Sequence, residues 1–117
     1  MPTAEELRER TKSFAIRVIR LFRALPRTAE AQVIGKQMIR SATSVGANYR
    51  AACRARSRQE WIAKSGIVLE EADETVYWLE LLVDVGIVPA ERMAEITKEA
   101  RELTAIFTAA QQTTRRR

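Results

Sequence analysis

Apolar residues recur along this chain at alternating steps of three and four, in four successive tracts. The first carries Leu7, Thr11, Phe14, Val18, Leu21 and Leu25. The second carries Ile34, Met38, Ser41, Val45, Asn48 and Ala52. The third carries Ile62, Ser65, Leu69, Ala72, Val76, Leu79 and Val83, and the fourth Met93, Ile96, Ala100, Leu103, Phe107 and Ala110. Because an α-helix turns once in about 3.6 residues, this spacing lines one face of a helix. It predicts four amphipathic helices, over 4–25, 28–56, 58–85 and 89–112.

The residues between the tracts agree with those limits. Pro26 ends the first helix, since its ring clashes with the preceding turn. Thr28 is a candidate N-cap for the second helix, because a hydroxyl there accepts from an orphan amide of the first turn. Ser57-Arg-Gln-Glu60 has the form of a capping box at the start of the third. Gly86 is a helix stop and Pro89 a helix start. The connections are short, and short connections make neighbouring helices antiparallel. The expected fold is all-α: one domain over 1–117, an antiparallel up-down-up-down four-helix bundle.

Two features complicate a plain oily core. Ser41 and Asn48 sit on the apolar seam of the second helix, and an unpaired buried hydroxyl or amide costs about 1–3 kcal/mol. Glu71 and Glu74 of the third helix are within reach of Ser41, Ser44, Asn48 or an arginine of the second helix. These five residues form a candidate structural network. Apolar residues also lie off the seams: Ile16 and Ile19 on the first helix, and Trp61, Val68 and Leu82 on the third. They either widen the core or, as candidates Ile16, Ile19 and Trp61, meet another subunit. Gly46 and Gly66 are placed to let helices approach closely, whereas Gly35 reads as a tolerated glycine.

Composition narrows the function classes. Apolar residues make up 46% of the chain, which argues against disorder. No apolar run nears the roughly 18 residues that span a bilayer. The first residues lack the charged-then-apolar order of a secretory leader, so a cytoplasmic protein is expected. A single cysteine, Cys53, fits a reducing compartment. There is no histidine, which removes the commonest general base and metal ligand. Cys53 therefore has no activating imidazole, and no glycine-rich phosphate loop occurs. No enzyme, metal or cofactor is expected.

Charge is strongly segregated. Between Arg8 and Arg58 there are thirteen basic residues and two acidic ones, Glu9 and Glu30. Between Glu60 and Asp84 there are seven acidic residues and one basic, Lys64. The chain ends in Arg115-Arg116-Arg117. Arg17 and Arg20 on the first helix, with Arg40, Arg50, Arg54 and Arg58 along the second, are candidate phosphate contacts, since guanidinium forks suit phosphates. Apart from Tyr49 no aromatic residue is interleaved with them, so backbone contact is expected rather than base reading.

Three segments carry a family resemblance: Arg40-Ser-Ala-Thr-Ser44-Val-Gly-Ala-Asn48-Tyr-Arg, Arg54-Ala-Arg-Ser57, and Glu70-Glu-Ala-Asp-Glu74-Thr-Val-Tyr77-Trp78-Leu79. Together they resemble the four-helix bundle protein family, also called the S23 or 23S rRNA intervening-sequence protein family. The likeness runs from Phe14 to about Leu103. It implies a bundle that assembles as a homopentamer. A related group, the accessory variability protein of diversity-generating retroelements, implies association with nucleic acid and a reverse transcriptase. Ala51 departs from the family pattern, where many relatives have glutamate. The expectation is an oligomeric, non-enzymatic module that binds RNA or DNA through phosphates. The alternative is a protein-interaction scaffold with no direct nucleic-acid role.

Overall fold

The computed structural model describes residues 1–116. Four helices form: α1 (Ala4–Ala24), α2 (Ala29–Ala52), α3 (Arg58–Asp84) and α4 (Ala90–Arg116). Three begin on hydroxyl caps. Thr3 Oγ1 accepts from the Glu6 amide at 3.1 Å, Thr28 Oγ1 from Ala31 at 3.3 Å, and Ser57 Oγ from Glu60 at 3.0 Å. Each cap satisfies a donor that the first helical turn leaves without a partner. α3 ends in a Schellman motif. Gly86 adopts φ +79, its amide donates to Val83 O at 3.0 Å, and the Ile87 amide donates to Leu82 O at 2.9 Å.

α2 stops at Ala52, four residues short of the limit expected from its pattern. Its last turn tightens into short-range bonds, Arg54 N to Ala51 O at 3.1 Å and Ala55 N to Ala52 O at 3.0 Å. The reversal into α3 requires this. Ser57 caps α3 from an extended backbone, φ −151 and ψ 164, so the chain must leave α2 and turn back within 53–57. α4 instead continues to Arg116, four residues beyond the expected end.

Each helix packs beside two others around a square: α1 with α2 and α4, α3 with α2 and α4. The bundle measures 46 × 20 × 20 Å. The seams of α1 and α4 are those the spacing predicts, with Leu7, Phe14, Val18, Met93, Leu103 and Phe107 all buried. Those of α2 and α3 are turned by less than one residue: Met38, Ser41, Val45 and Ala52, and Ser65, Ala72 and Leu79, are buried as the spacing predicts, and the rest of each stripe shifts to a neighbouring column. α2 buries Ala31, Gly35, Met38, Ser41, Ala42, Val45, Tyr49 and Ala52, while Ile34 and Asn48 are half-buried at its flank. α3 buries Ser65, Val68, Ala72, Thr75, Leu79 and Leu82, while Leu69, Val76 and Val83 flank them. The rotation seats the large side chains. Tyr49 lies 5.3 Å from the Phe107 ring and meets Trp61 edge-on at 6.5 Å. Val68 and Leu82 thus belong to the core of their own chain.

The glycines mark the closest helix approach. A Cβ on Gly35 would stand 2.8 Å from Leu25 Cδ1 and 2.9 Å from the Phe22 ring. One on Gly46 would stand 3.3 Å from Thr11 Oγ1 and 3.5 Å from the Thr11 carbonyl carbon. At Gly35 a larger residue fits only if the Leu25 and Phe22 side chains move aside. Gly66 meets Gln111 only at ordinary contact distance.

Candidate nucleic-acid interface

Polar groups inside the bundle are all partnered among the described residues. Ser41 Oγ lies 2.8 Å from Thr75 Oγ1, joining α2 to α3. Each hydroxyl has one proton. Thr75 donates to Glu71 O at 2.7 Å, so Ser41 donates to Thr75, its contact with Met38 O being longer at 3.2 Å. At the other end of the core, Ser65 donates to Trp61 O at 2.6 Å and accepts from Gln111 Nε2, which also donates to Ile62 O at 2.9 Å. The apolar spacing alone does not single out Thr75 and Gln111. Their signal is their phase, since each falls where an apolar residue would be buried.

Asn48 and Ser44 bind within their own helix. Asn48 Nδ2 donates to Ser44 O at 2.8 Å, and Ser44 Oγ to Arg40 O at 2.8 Å. They do not reach Glu71 or Glu74, because the rotation of α2 turns them to the flank. The partner of Glu71 and Glu74 is the other one the sequence offered, an arginine of the second helix, Arg40. Its guanidinium donates to Glu71 Oε2 at 3.2 Å and to Glu74, whose Oε2 also accepts from Trp78 Nε1 at 2.9 Å. The Trp78 bond first, and the Arg40 charge with it, hold the Glu74 carboxyl below the usual carboxylate range. The Glu74 bond raises the Arg40 guanidinium further above its ordinary value.

Arg40 is thus bound up in an α2–α3 ion pair with two carboxylates. Arg58 is also engaged, donating through Nε and Nη2 to the Thr114 carbonyl near the end of α4. Arg10, absent from the sequence-based candidates, clamps α1 to α4. It donates to both oxygens of Glu99 at 2.8 and 2.7 Å and to Glu102 at 2.7 Å. The Glu99 bond raises its guanidinium pKa despite partial desolvation.

Arg17, Arg20, Arg50 and Arg54 make no ion pair among the described residues. They do not form the continuous ridge that a longer α2 would have carried. Arg50 is in the last turn of α2, Arg54 in the following turn, and Arg58 opens α3. Arg17 and Arg20 line a groove between α1 and α4 with Arg92 and with the carboxylates Glu91 and Glu95. Arg50 lines a separate trough between α1 and α2 with Arg8 and Lys12. Of the apolar candidates, Ile16 is 39% exposed and Ile19 half-buried. Trp61 is occupied inside the chain, against Tyr49 and with Nε1 donating to Thr114 Oγ1 at 3.1 Å. Burial pushes the Tyr49 hydroxyl pKa up, and the nearby charge of Arg8 opposes that rise.

The family described as 23S rRNA-intervening sequence protein matches residues 5–109. The chain belongs to this family. A solved structure shares its fold at a TM-score of 0.83 and 35% identity, covering 90% of this chain and 97% of that one. That protein, from Bacteroides thetaiotaomicron, is described as one of unknown function from the S23 ribosomal protein family. No curated protein matches the chain. Among the described residues of this family member, no helix is long and apolar enough to cross a membrane.

Proposed function

We propose that this chain is a binding module, not an enzyme, that engages RNA or DNA through phosphate contacts. One observation carries the reading. Of the basic residues from Arg8 to Arg58, only Arg10 and Arg40 are held in ion pairs among the described residues. On α3, Glu60, Glu71, Glu74 and Glu80 are paired within the chain, while Glu70, Asp73 and Asp84 are in no ion pair among the described residues. Pairing within the chain thus engages four of the seven α3 carboxylates but only two of these basic residues, so α1, α2 and the turn after it keep a surplus of unpaired cations. A polyanion is the partner such a field attracts.

Arg17, Arg20, Arg50 and Arg54 supply the contacts, with Arg40 and Arg58 serving the fold. The test is fluorescence anisotropy with a labelled mixed-sequence RNA over a salt series. Log affinity should fall by roughly 0.7–0.9 per log of salt for each phosphate neutralised. An affinity that stays flat across the series, or no binding at low salt, overturns the reading.

The exposed apolar residues favour a second property, assembly with other copies or with a protein partner. Ile16, Val33, Ile67 and Tyr77 are each more than a third exposed. A homo-oligomer, a pentamer by family resemblance, would cover some of them. Light scattering with and without RNA tests this, and a monomer in both removes it. A partner that survives nuclease digestion would favour the scaffold over the nucleic-acid reading.

A further inference from the structure

The trough between α1 and α2 joins a floor of small residues to a basic rim. Its floor is made of small residues, Ala15, Gly46 and Ala47, with Thr43 beside them. The floor is low because the helices cross closely here, Gly46 lying against Thr11. Thr43 Oγ1 is turned back onto its own helix, donating to Ile39 O at 2.7 Å, so the floor presents mostly carbon. The trough volume is about 450 Å³, within the range that holds a small organic group. Arg8 and Lys12 stand one turn apart on the α1 rim, and Arg50 stands on the α2 rim. None of the three is in an ion pair among the described residues. Against them the lining holds a single carboxylate, Glu9.

Resting on the nucleic-acid reading above, we infer that this trough is a site for single-stranded nucleic acid. One nucleobase lies on the small-residue floor, and its flanking phosphates are gripped by Arg8, Lys12 and Arg50. The floor distinguishes strand from duplex. A paired, stacked base keeps its apolar face inside the helix, whereas a single strand can present it. The floor offers no hydrogen-bond pattern to read a base edge, so binding tolerates sequence. The rim cations account for the phosphates on either side.

The experiment fills the floor and leaves the rim intact. Thr43→Leu/Ala47→Leu places two larger side chains in the trough without touching a buried contact across helices. Affinities for a short mixed-sequence single strand, the matching duplex and adenosine 5′-monophosphate are read by anisotropy and calorimetry. The wild-type chain should prefer the strand to the duplex by roughly tenfold, about one unit of log affinity. The filled variant should lose that preference and keep its duplex affinity. Arg8→Gln/Arg50→Gln, at two exposed and unpaired positions, should lower the salt slope for the strand by about 1.4, or about 0.7 for each phosphate no longer neutralised.

Strand preference unchanged in the filled variant overturns the trough while leaving the phosphate reading standing. So does an unchanged salt slope in the rim variant, should the filled one not fold. Absence of binding to strand and duplex alike overturns both. Adenosine 5′-monophosphate binding as tightly as the strand shows a free-nucleotide site and overturns the strand assignment.

Discussion

The Ser41–Thr75 contact makes a sharp prediction because a single proton joins two fully buried hydroxyls. Ser41→Ala takes away the proton that Thr75 Oγ1 accepts, but Thr75 still donates to Glu71 O at 2.7 Å. Thr75→Val removes the acceptor of Ser41, whose proton falls back on Met38 O at 3.2 Å. Both sites are fully buried, so water cannot substitute for a missing partner. Each single change should therefore cost about 1 kcal/mol, the net worth of one such bond. A cost of that size lowers the melting temperature of a domain of this length by about 4 °C.

The double variant removes both hydroxyls at once. With no polar group left unpaired, it should be about as stable as either single variant, which corresponds to a coupling of about 1 kcal/mol. Urea unfolding of the wild-type chain, the two singles and the double closes the cycle. If the two single losses simply add, the hydroxyls do not depend on one another and the α2–α3 register described above is wrong.

Three further outcomes are expected. Arg10→Met leaves the half-buried Glu99 without its bidentate partner and should destabilise the chain by about 1–2 kcal/mol in chemical unfolding, discounted for partial exposure. Arg40→Ala should change RNA affinity much less than Arg20→Ala or Arg50→Ala does in the same anisotropy assay, since the charge of Arg40 is already matched by Glu71 and Glu74. The Glu74 carboxyl is held low in the folded chain, so its contribution to stability is present above the usual glutamate range and lost as pH falls through the depressed value. Thermal melts of wild-type and Glu74→Gln proteins should therefore differ at neutral pH and converge in acid; a gap that widens in acid contradicts the sign.

Much of the site was legible and part of it was not. The segregation of charge is a property of composition, and it survives in the folded chain as an excess of unpaired cations on α1 and α2. Which arginines are free is a different matter. Arg40 and Arg58 looked equivalent to Arg50 and Arg54 in the linear pattern, but an ion pair or a carbonyl 56 residues away engages them. Such partners come from other helices, and spacing within one helix carries no record of them.

The alternation of three and four, the hydroxyl caps and the turn residues determined four helices and an antiparallel bundle, because helix periodicity and capping are local physics. The chain alone did not determine how each helix turns about its own axis. α2 and α3 carry apolar residues on two adjacent columns, so the pattern fits either of two faces. Packing chose between them: burying Tyr49 against Phe107 and Trp61, and fitting Gly35 and Gly46 beneath α1, set the rotation. That rotation left Asn48 at the flank and put Thr75 opposite Ser41. Shape complementarity between helices distant in sequence decided these points, and it exists only once the helices have met.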